Sequence, residues 1–259
     1  MLEISVKAPD AARPFDLDVV DVFDLAVLIS NTEEVEASHK CKRIVHRCLK
    51  IFKSTFTPST IIGAQLSRVL MTTWPYKGLE FLEQAGVLGV VLPELSLCTT
   101  VEQNKKYHID NVFTHCVKVC SLVEPDLALR WAGLLHDVGK REAFNRTEDG
   151  NITFHKHEVH SSKIAKAVLN RMFKDEPFVE EACGLVAMHM YYYSTVWTDK
   201  AIRRFILRAN ISKDQAEDLA EIPLFKLRRA DRGSRGLKLT TPKQQVFEAR
   251  LREFLHKSG

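Results

Sequence analysis

The stretch Leu127–Leu135 (Leu-Ala-Leu-Arg-Trp-Ala-Gly-Leu-Leu) is apolar on nearly every side and runs straight into His136-Asp137-Val138-Gly139-Lys140. A helix that is apolar all round has no face to give to water, so other elements must surround it. An imidazole and a carboxylate at its end are then withdrawn from water side by side, which is costly unless something pairs with them. A divalent cation does so, because neutral imidazole and carboxylate are both suitable ligands and the ion cancels the carboxylate charge. Gly139 is expected to leave the helical conformation and end the helix. Lys140 then stands one step from the ion, placed to meet an anionic oxygen.

The rest of the chain follows the same period. Apolar residues recur at helical spacing through Asp18–Ser30, Lys40–Phe52, Tyr76–Leu88, Val112–Val123, Val159–Phe173, Phe178–Met190, Asp199–Ala209, Ser212–Leu219 and Pro242–Phe254, whereas strand signals are sparse. Thr57-Pro58 reads as a turn with Ser59 or Thr60 as helix cap, and Glu142–Ile152 as a polar loop. No repeat of the length used by solenoids is visible. The fold class is all-α, a helical bundle preceded by a smaller helical subdomain. The polar stretch Thr99–Lys106 serves as the joint, dividing the chain into 1–104 and 105–259.

Composition narrows the class of protein. Apolar residues make up 45% and charged residues 27%, too apolar for a disordered chain. No apolar run approaches the roughly 18 residues of a membrane span. The start, Met1–Asp10, lacks a basic region followed by an apolar stretch, so a cytoplasmic protein with no membrane partner is expected. The six cysteines form no CxxC pair and read as reduced core thiols. A net charge of +4 permits an anionic substrate without demanding a nucleic acid.

Seven of the ten histidines lie between positions 108 and 189. His115 interrupts the apolar helix Val112–Val117, and Asp231 sits in Leu227-Arg-Arg-Ala-Asp-Arg232. Alone, each reads as a hydrogen-bonded core histidine or a salt-bridged aspartate. With the doublet, His115, His136, Asp137 and Asp231 make a two-histidine, two-aspartate metal set. Tyr191-Tyr192-Tyr193 and Trp197 read as core packing, with an aromatic wall for a base as the other option.

The order His…His-Asp…Asp resembles the HD superfamily of metal-dependent phosphohydrolases. The flanks are most similar to the body and HD portions of bacterial CCA-adding tRNA nucleotidyltransferases. They are Gly78-Leu-Glu-Phe-Leu82, Gly86-Val-Leu88, Leu92-Pro-Glu-Leu95, Tyr107-His108, Arg130–Lys140, Phe154-His-Lys-His-Glu158 and Ile202-Arg-Arg-Phe205. The resemblance covers residues 40–240. Before residue 40 the combined Gly-Ser and Asp-x-Asp site of a nucleotide-adding head is not found, since no glycine occurs there; Lys156 stands where the family has glycine, beside an additional His155, and Cys116 stands where threonine is frequent.

The resemblance implies an HD-domain helical bundle with a divalent metal cofactor, and mixed nitrogen and oxygen ligands suit Mn, Co, Mg, Fe or Ni alike. Lys140, then Arg203 and Arg204, are the expected substrate-binding cations. His157 and His189 are either ligands of a second ion or, as favoured here, acid, base or phosphate donors beside a single ion. The expected function is phosphate removal from a (deoxy)nucleoside monophosphate. The alternatives are a 2′,3′-cyclic phosphodiesterase or 2′-phosphatase acting on an RNA or tRNA end, and a non-catalytic RNA-binding module.

Overall fold

A computed structural model describes residues 3–4, 19–33, 36–37, 57–103, 110–194 and 196–257. The helix expected over Lys40–Phe52, together with Cys41, Cys48 and His108, lies outside the described residues.

Helices dominate, as the periodicity requires. In chain order they are α1 (Val19–Asn31), α2 (Ser59–Leu70), α3 (Pro75–Gln84), α4 (Leu88–Val91), α5 (Pro93–Ser96), α6 (Val112–Leu122) and α7 (Leu127–Leu135). There follow α8 (His157–Met172), α9 (Glu176–Met188), α10 (Asp199–Arg208), α11 (Pro223–Ser234) and α12 (Pro242–Lys257). Polar residues set several starts. The side chains of Asn111, Asp126, Asp175 and Thr198 accept hydrogen bonds from backbone N–H groups of the first turns of α6, α7, α9 and α10, which satisfies donors that a helix start leaves free. Pro58, not Ser59 or Thr60, occupies the cap of α2, with no side-chain bond.

Two segments differ from the sequence expectation. Within Glu142–Ile152 the chain forms a short hairpin, Asn145–Arg146 against Ile152–Thr153, turning on Gly150 at φ 77°. Ser212–Leu219 forms 3-10 turns at Lys213–Ala216 and Leu219–Glu221 instead of an α-helix. Ser212 and Gln215 close a reciprocal cap there, which favours a short, tight turn.

Eight of the nine residues of α7 are buried, and α2, α6, α8, α9 and α11 pack around it. Trp131 is fully buried at its centre, and its indole N–H donates to Ser67 Oγ at 3.1 Å. The Arg130 guanidinium, also buried, donates to the carbonyls of Glu124 and Leu70 at 2.9 and 3.2 Å. One continuous apolar core runs from Val22 to Ala230 and takes residues from both sides of the expected joint, Val101 and Val112 among them. A second, smaller core gathers Tyr191, Phe205, Phe225 and Phe247 with aliphatic neighbours from Met188 to Leu255. Helix α11 serves both, giving Leu227 and Ala230 to the first and Leu224 and Phe225 to the second. Cys98, Cys116, Cys120 and Cys183 are buried free thiols.

Candidate metal centre

Five helices or helix ends bring six polar side chains together. His115 comes from the buried face of α6, His136 and Asp137 from the end of α7, and His157 from the first residue of α8. His189 caps α9 and Asp231 lies on α11. All six are 7% exposed or less.

Each imidazole is anchored from behind. Nδ1 of His136, His157 and His189 lies 2.8, 2.9 and 2.8 Å from the carbonyls of Gly133, Phe154 and Val186. A carbonyl only accepts, so these Nδ1 atoms carry the proton. His115 Nδ1 lies 3.0 Å from Ser234 Oγ, whose own proton goes to the Asp231 carbonyl at 2.7 Å; this nitrogen is a donor too. The Nε2 lone pairs are thereby turned inward, and they meet: His115 to His136 at 3.2 Å, His157 to His189 at 3.2 Å. Two acceptors at that distance repel unless a cation lies between them. Outer partners of this kind also orient metal-binding histidines, so the residues fit the divalent ion that the sequence calls for.

Asp137 stands between the two pairs. Its Oδ2 lies 3.2 and 3.3 Å from Nε2 of His115 and His136, and its Oδ1 lies 3.1 and 3.5 Å from Nε2 of His157 and His189. Asp231 Oδ1 closes on His115 Nε2 at 3.2 Å. The donors fall into two sets able to hold an ion, His115–His136–Asp231 and Asp137–His157–His189. Protonation follows the same geometry. Burial pushes the Asp137 carboxyl up, but the facing His136 and His115 imidazoles and the Lys140 ammonium hold it well below the usual range. Burial opposes the charged form of His115 and His157, yet hydrogen bonds and charge from Asp137, with Asp231 for His115, pull both up. His189 is held down, by burial first and by the neighbouring charges of His136 and His157.

Beside the centre opens a cavity of about 230 Å³, lined by Asp137, Lys140, His157, His189, Asp231, Arg235, Met190 and the hairpin residues Ile152–His155. Lys140 is on this wall but buried, its Nζ 2.7 Å from Asp137 Oδ2 and 2.8 Å from Gln103 Oε1. Thr153 Oγ1 is buried and has no hydrogen-bond partner among the described residues. Arg203 and Arg204 are elsewhere: both are exposed on α10, with Arg203 5.5 Å above the Phe254 ring, and neither lines the cavity. The guanidinium found there belongs to Arg235, bound to Asp231 Oδ2 at 2.9 Å. Its spacing of four from Asp231 is the helical ion-pair spacing, and that was its signal in the sequence.

The α-helix ends at Leu135, and Gly139 lies in a 3-10 turn, Val138–Lys140, without a positive φ. Its role is closeness: a Cβ there would lie 2.2 Å from the Ser161 nitrogen of α8, and its own N–H donates to Ser161 Oγ at 2.9 Å. Tyr191, Tyr193 and Trp197 face the second core, against Phe205 or Phe247, and Tyr192 is 75% exposed.

Residues 107–233 match the HD domain family. The chain carries an HD domain. HD domains form a superfamily of metal-dependent phosphohydrolases, so phosphoric ester hydrolysis with a divalent metal is the chemistry of this domain. The chain is 33% identical over 166 residues to the A-adding tRNA nucleotidyltransferase of Deinococcus radiodurans, a match spanning 62% of this HD-containing chain and 38% of that protein. It is 36% identical over 154 residues to the CC-adding tRNA nucleotidyltransferase of Thermus thermophilus, spanning 57% of this chain and 35% of that protein. Similarity to the multifunctional CCA protein of a Janthinobacterium species is 34% identity over 115 residues, 43% of this chain and 27% of the relative. The chain thus covers well under half the length of each of these relatives. No helix among the described residues is long and apolar enough to cross a membrane.

Proposed function

We propose that this HD domain hydrolyses a terminal phosphoric ester of a nucleotide, with His115, His136 and Asp231 placed to hold one divalent ion, His157 and His189 a second, and Asp137 facing both sets. The observation that carries the reading is that Asp137 turns one oxygen to each histidine pair, Oδ2 to His115 and His136 and Oδ1 to His157 and His189. On this reading His157 and His189 would bind metal, where the sequence favoured proton or phosphate donors beside a single ion. With Nδ1 bound to carbonyls and Nε2 facing each other, neither ring turns an N–H toward the cavity. Divalent ions so held make bound water more acidic and offset phosphoryl charge.

The chain's own groups handle the rest of the charge. In phosphate ester hydrolysis negative charge resides on the transferring phosphoryl oxygens, and Lys140 and Arg235 supply fixed cations on the same wall. Such preorganised charge is worth most in a water-poor setting. The cavity, at about 230 Å³, is below the roughly 300–1,000 Å³ of pockets that engulf a ligand. A phosphate with its sugar fits, and the remainder of the substrate extends outside. That supports a terminal ester.

A nucleoside monophosphate and a phosphorylated or cyclised RNA end both meet this description. The second is favoured by similarity to proteins named as tRNA nucleotidyltransferases. Protein supplied with Mn²⁺, Co²⁺ or Mg²⁺ and offered 5′-monophosphates, 2′,3′-cyclic nucleotides and tRNA ending in a 2′,3′-cyclic phosphate separates them. Turnover of the first substrate alone supports the monophosphatase, and opening of the cyclic esters supports end repair. No metal-stimulated turnover of any of them would overturn the proposal.

A further inference from the structure

Two arginines hold the outer oxygen of Asp231, and they face different surroundings. Arg235 brings Nη2 to within 2.9 Å of Oδ2 and its Nε to within 3.2 Å of the Asp231 carbonyl. Arg228 Nη1 stands 3.5 Å from the same Oδ2, but also 3.2 Å from the His189 carbonyl and 3.2 Å from Met190 Sδ. Arg235 lines the cavity and Arg228 does not. A guanidinium is planar, with five N–H donors spread over more than one edge. Arg235 commits its Nε–Nη2 edge to Asp231, and among the described residues Nη1 has no hydrogen-bond partner.

We infer that Arg235 is a phosphate-binding residue that also positions Asp231. One edge of its guanidinium fixes the outer carboxylate oxygen, and the other receives a phosphoryl oxygen entering the cavity. Lys140 cannot combine these tasks in the same way: its ammonium is a point charge already engaged by Asp137 and Gln103, whereas a planar fork matches two acceptors at once. Through Arg235, anion capture and the retention of Asp231 toward His115 become linked, and such a link is reciprocal: phosphate tightens metal binding by the factor by which metal tightens phosphate binding. Arg235 lies two residues beyond the matched HD region, which ends at 233. The inference rests on the metal-centre reading above and adds to it the side chain that recognises the substrate's phosphate.

The test uses the full chain, with Mn²⁺ binding followed by the paramagnetic resonance of the free ion and inorganic phosphate binding to the Mn²⁺-loaded protein followed by calorimetry. Arg235→Lys keeps a cation beside Asp231 but loses the second edge. Its Mn²⁺ affinity is expected to stay within about threefold of the parent while phosphate affinity falls about tenfold or more. Arg228→Lys should weaken phosphate binding by less than about threefold, since its other contacts turn it away from the cavity. Unchanged phosphate affinity in Arg235→Lys, an equal loss in Arg228→Lys, or a fall in Mn²⁺ affinity that matches the fall for phosphate would each overturn the assignment. If the parent protein binds no Mn²⁺, the metal-centre reading fails first. If it binds Mn²⁺ and turns over phosphate esters while Arg235→Lys behaves as the parent, only the role of Arg235 is lost.

Discussion

The two cores handle cationic and aromatic residues in opposite ways. In the larger one, α6, α7, α8 and α9 turn histidines inward, and each ring is fixed by an oxygen behind it. In the smaller one, aromatic rings fill the interior, and the basic residues Lys200, Arg203, Arg204 and Arg208 of α10 remain exposed. Both regions carry the residue types expected at a phosphate site, and only one gathers them. What separates them is the position of each polar residue relative to its apolar neighbours. His115 falls on the same helix face as the buried Val112 and Val119, three residues before it and four after, so α6 carries it inside with them. Arg203 and Arg204 lie between Ile202 and Phe205, the two residues that α10 buries, and one or two steps along a helix lead to the opposite side. The periodicity of Ile-Arg-Arg-Phe therefore points to an outward, solvated pair, and only the family resemblance places the two arginines at the substrate.

The largest effect should come from breaking the bridge in the larger core. Asp137→Asn keeps the shape but removes the charge shared by the two histidine pairs. Metal-stimulated phosphate release is expected to fall about a thousandfold, roughly 4 kcal/mol of barrier, with loss of bound Mn²⁺ in both sets. His189→Ala should reduce Mn²⁺ stoichiometry from two to one, and two retained ions in that variant would rule out the two-ion assignment. A lesion in the smaller core should act differently. Phe247 is fully buried among Tyr191, Trp197 and Phe205, and Phe247→Ala is expected to cost about 3–5 kcal/mol by denaturant melt. Mn²⁺ stoichiometry below the transition should be unchanged. If it falls, α11 transmits the damage from Phe225 to Asp231 and the cores act as one unit.

Much of the centre was legible for a physical reason. A charged or imidazole group within an apolar helical face has few ways to be satisfied, and His115, the His136–Asp137 doublet and Asp231 each posed that problem in one dimension. The place of Asp137 between the two histidine pairs was not legible, because it depends on how α8 and α9 meet the end of α7 and bring His157 and His189 to Oδ1. Gly139 matters for a reason that the local sequence does not show. A glycine after a helix resembles a left-handed cap, and nothing local distinguishes that from a glycine kept small by Ser161 from a neighbouring helix. The strand pairs of the hairpin, two residues each, were too short to leave a period.

A smaller effect tests how the larger core is tied across the expected domain joint. Arg171 of α8 donates to Glu94 of α5, with Nη2 to Oε2 at 2.8 Å. Burial pushes the Glu94 carboxyl up, but the hydrogen bonds and charge of Arg171 bring it below its ordinary 4.5. A carboxyl lowered in the folded state contributes stability that is present above its unfolded value and is lost as pH falls through the folded one. Arg171→Gln should therefore cost about 1 kcal/mol near neutral pH, where the two-point contact is charged. The difference from the parent should shrink as the pH falls from 4.5 through the lowered folded value. A difference that is independent of pH would mean that the side chain contributes by packing alone.

The smallest effect concerns the entry to α8, where the chain departs from the family. Lys156 precedes His157 at φ 60° and ψ 25°, a left-handed conformation that costs a residue with a Cβ roughly 1–2 kcal/mol. The glycine that the family has here avoids that penalty, although glycine also gives the unfolded chain more freedom to lose. The net expectation for Lys156→Gly is a gain of about 0.5–1 kcal/mol, read as a higher melting temperature. Turnover need not follow stability. Lys156 links the cavity residue His155 to the metal-centre residue His157, and a freer backbone there loosens the aim of His157 Nε2 toward Asp137. A stabilised variant with weaker Mn²⁺ binding would show that the strained lysine is retained to hold His157 in place. A destabilised variant would mean that the Lys156 side chain makes contacts worth more than the strain, and the comparison with the family's glycine would then rest on side-chain packing instead of backbone geometry.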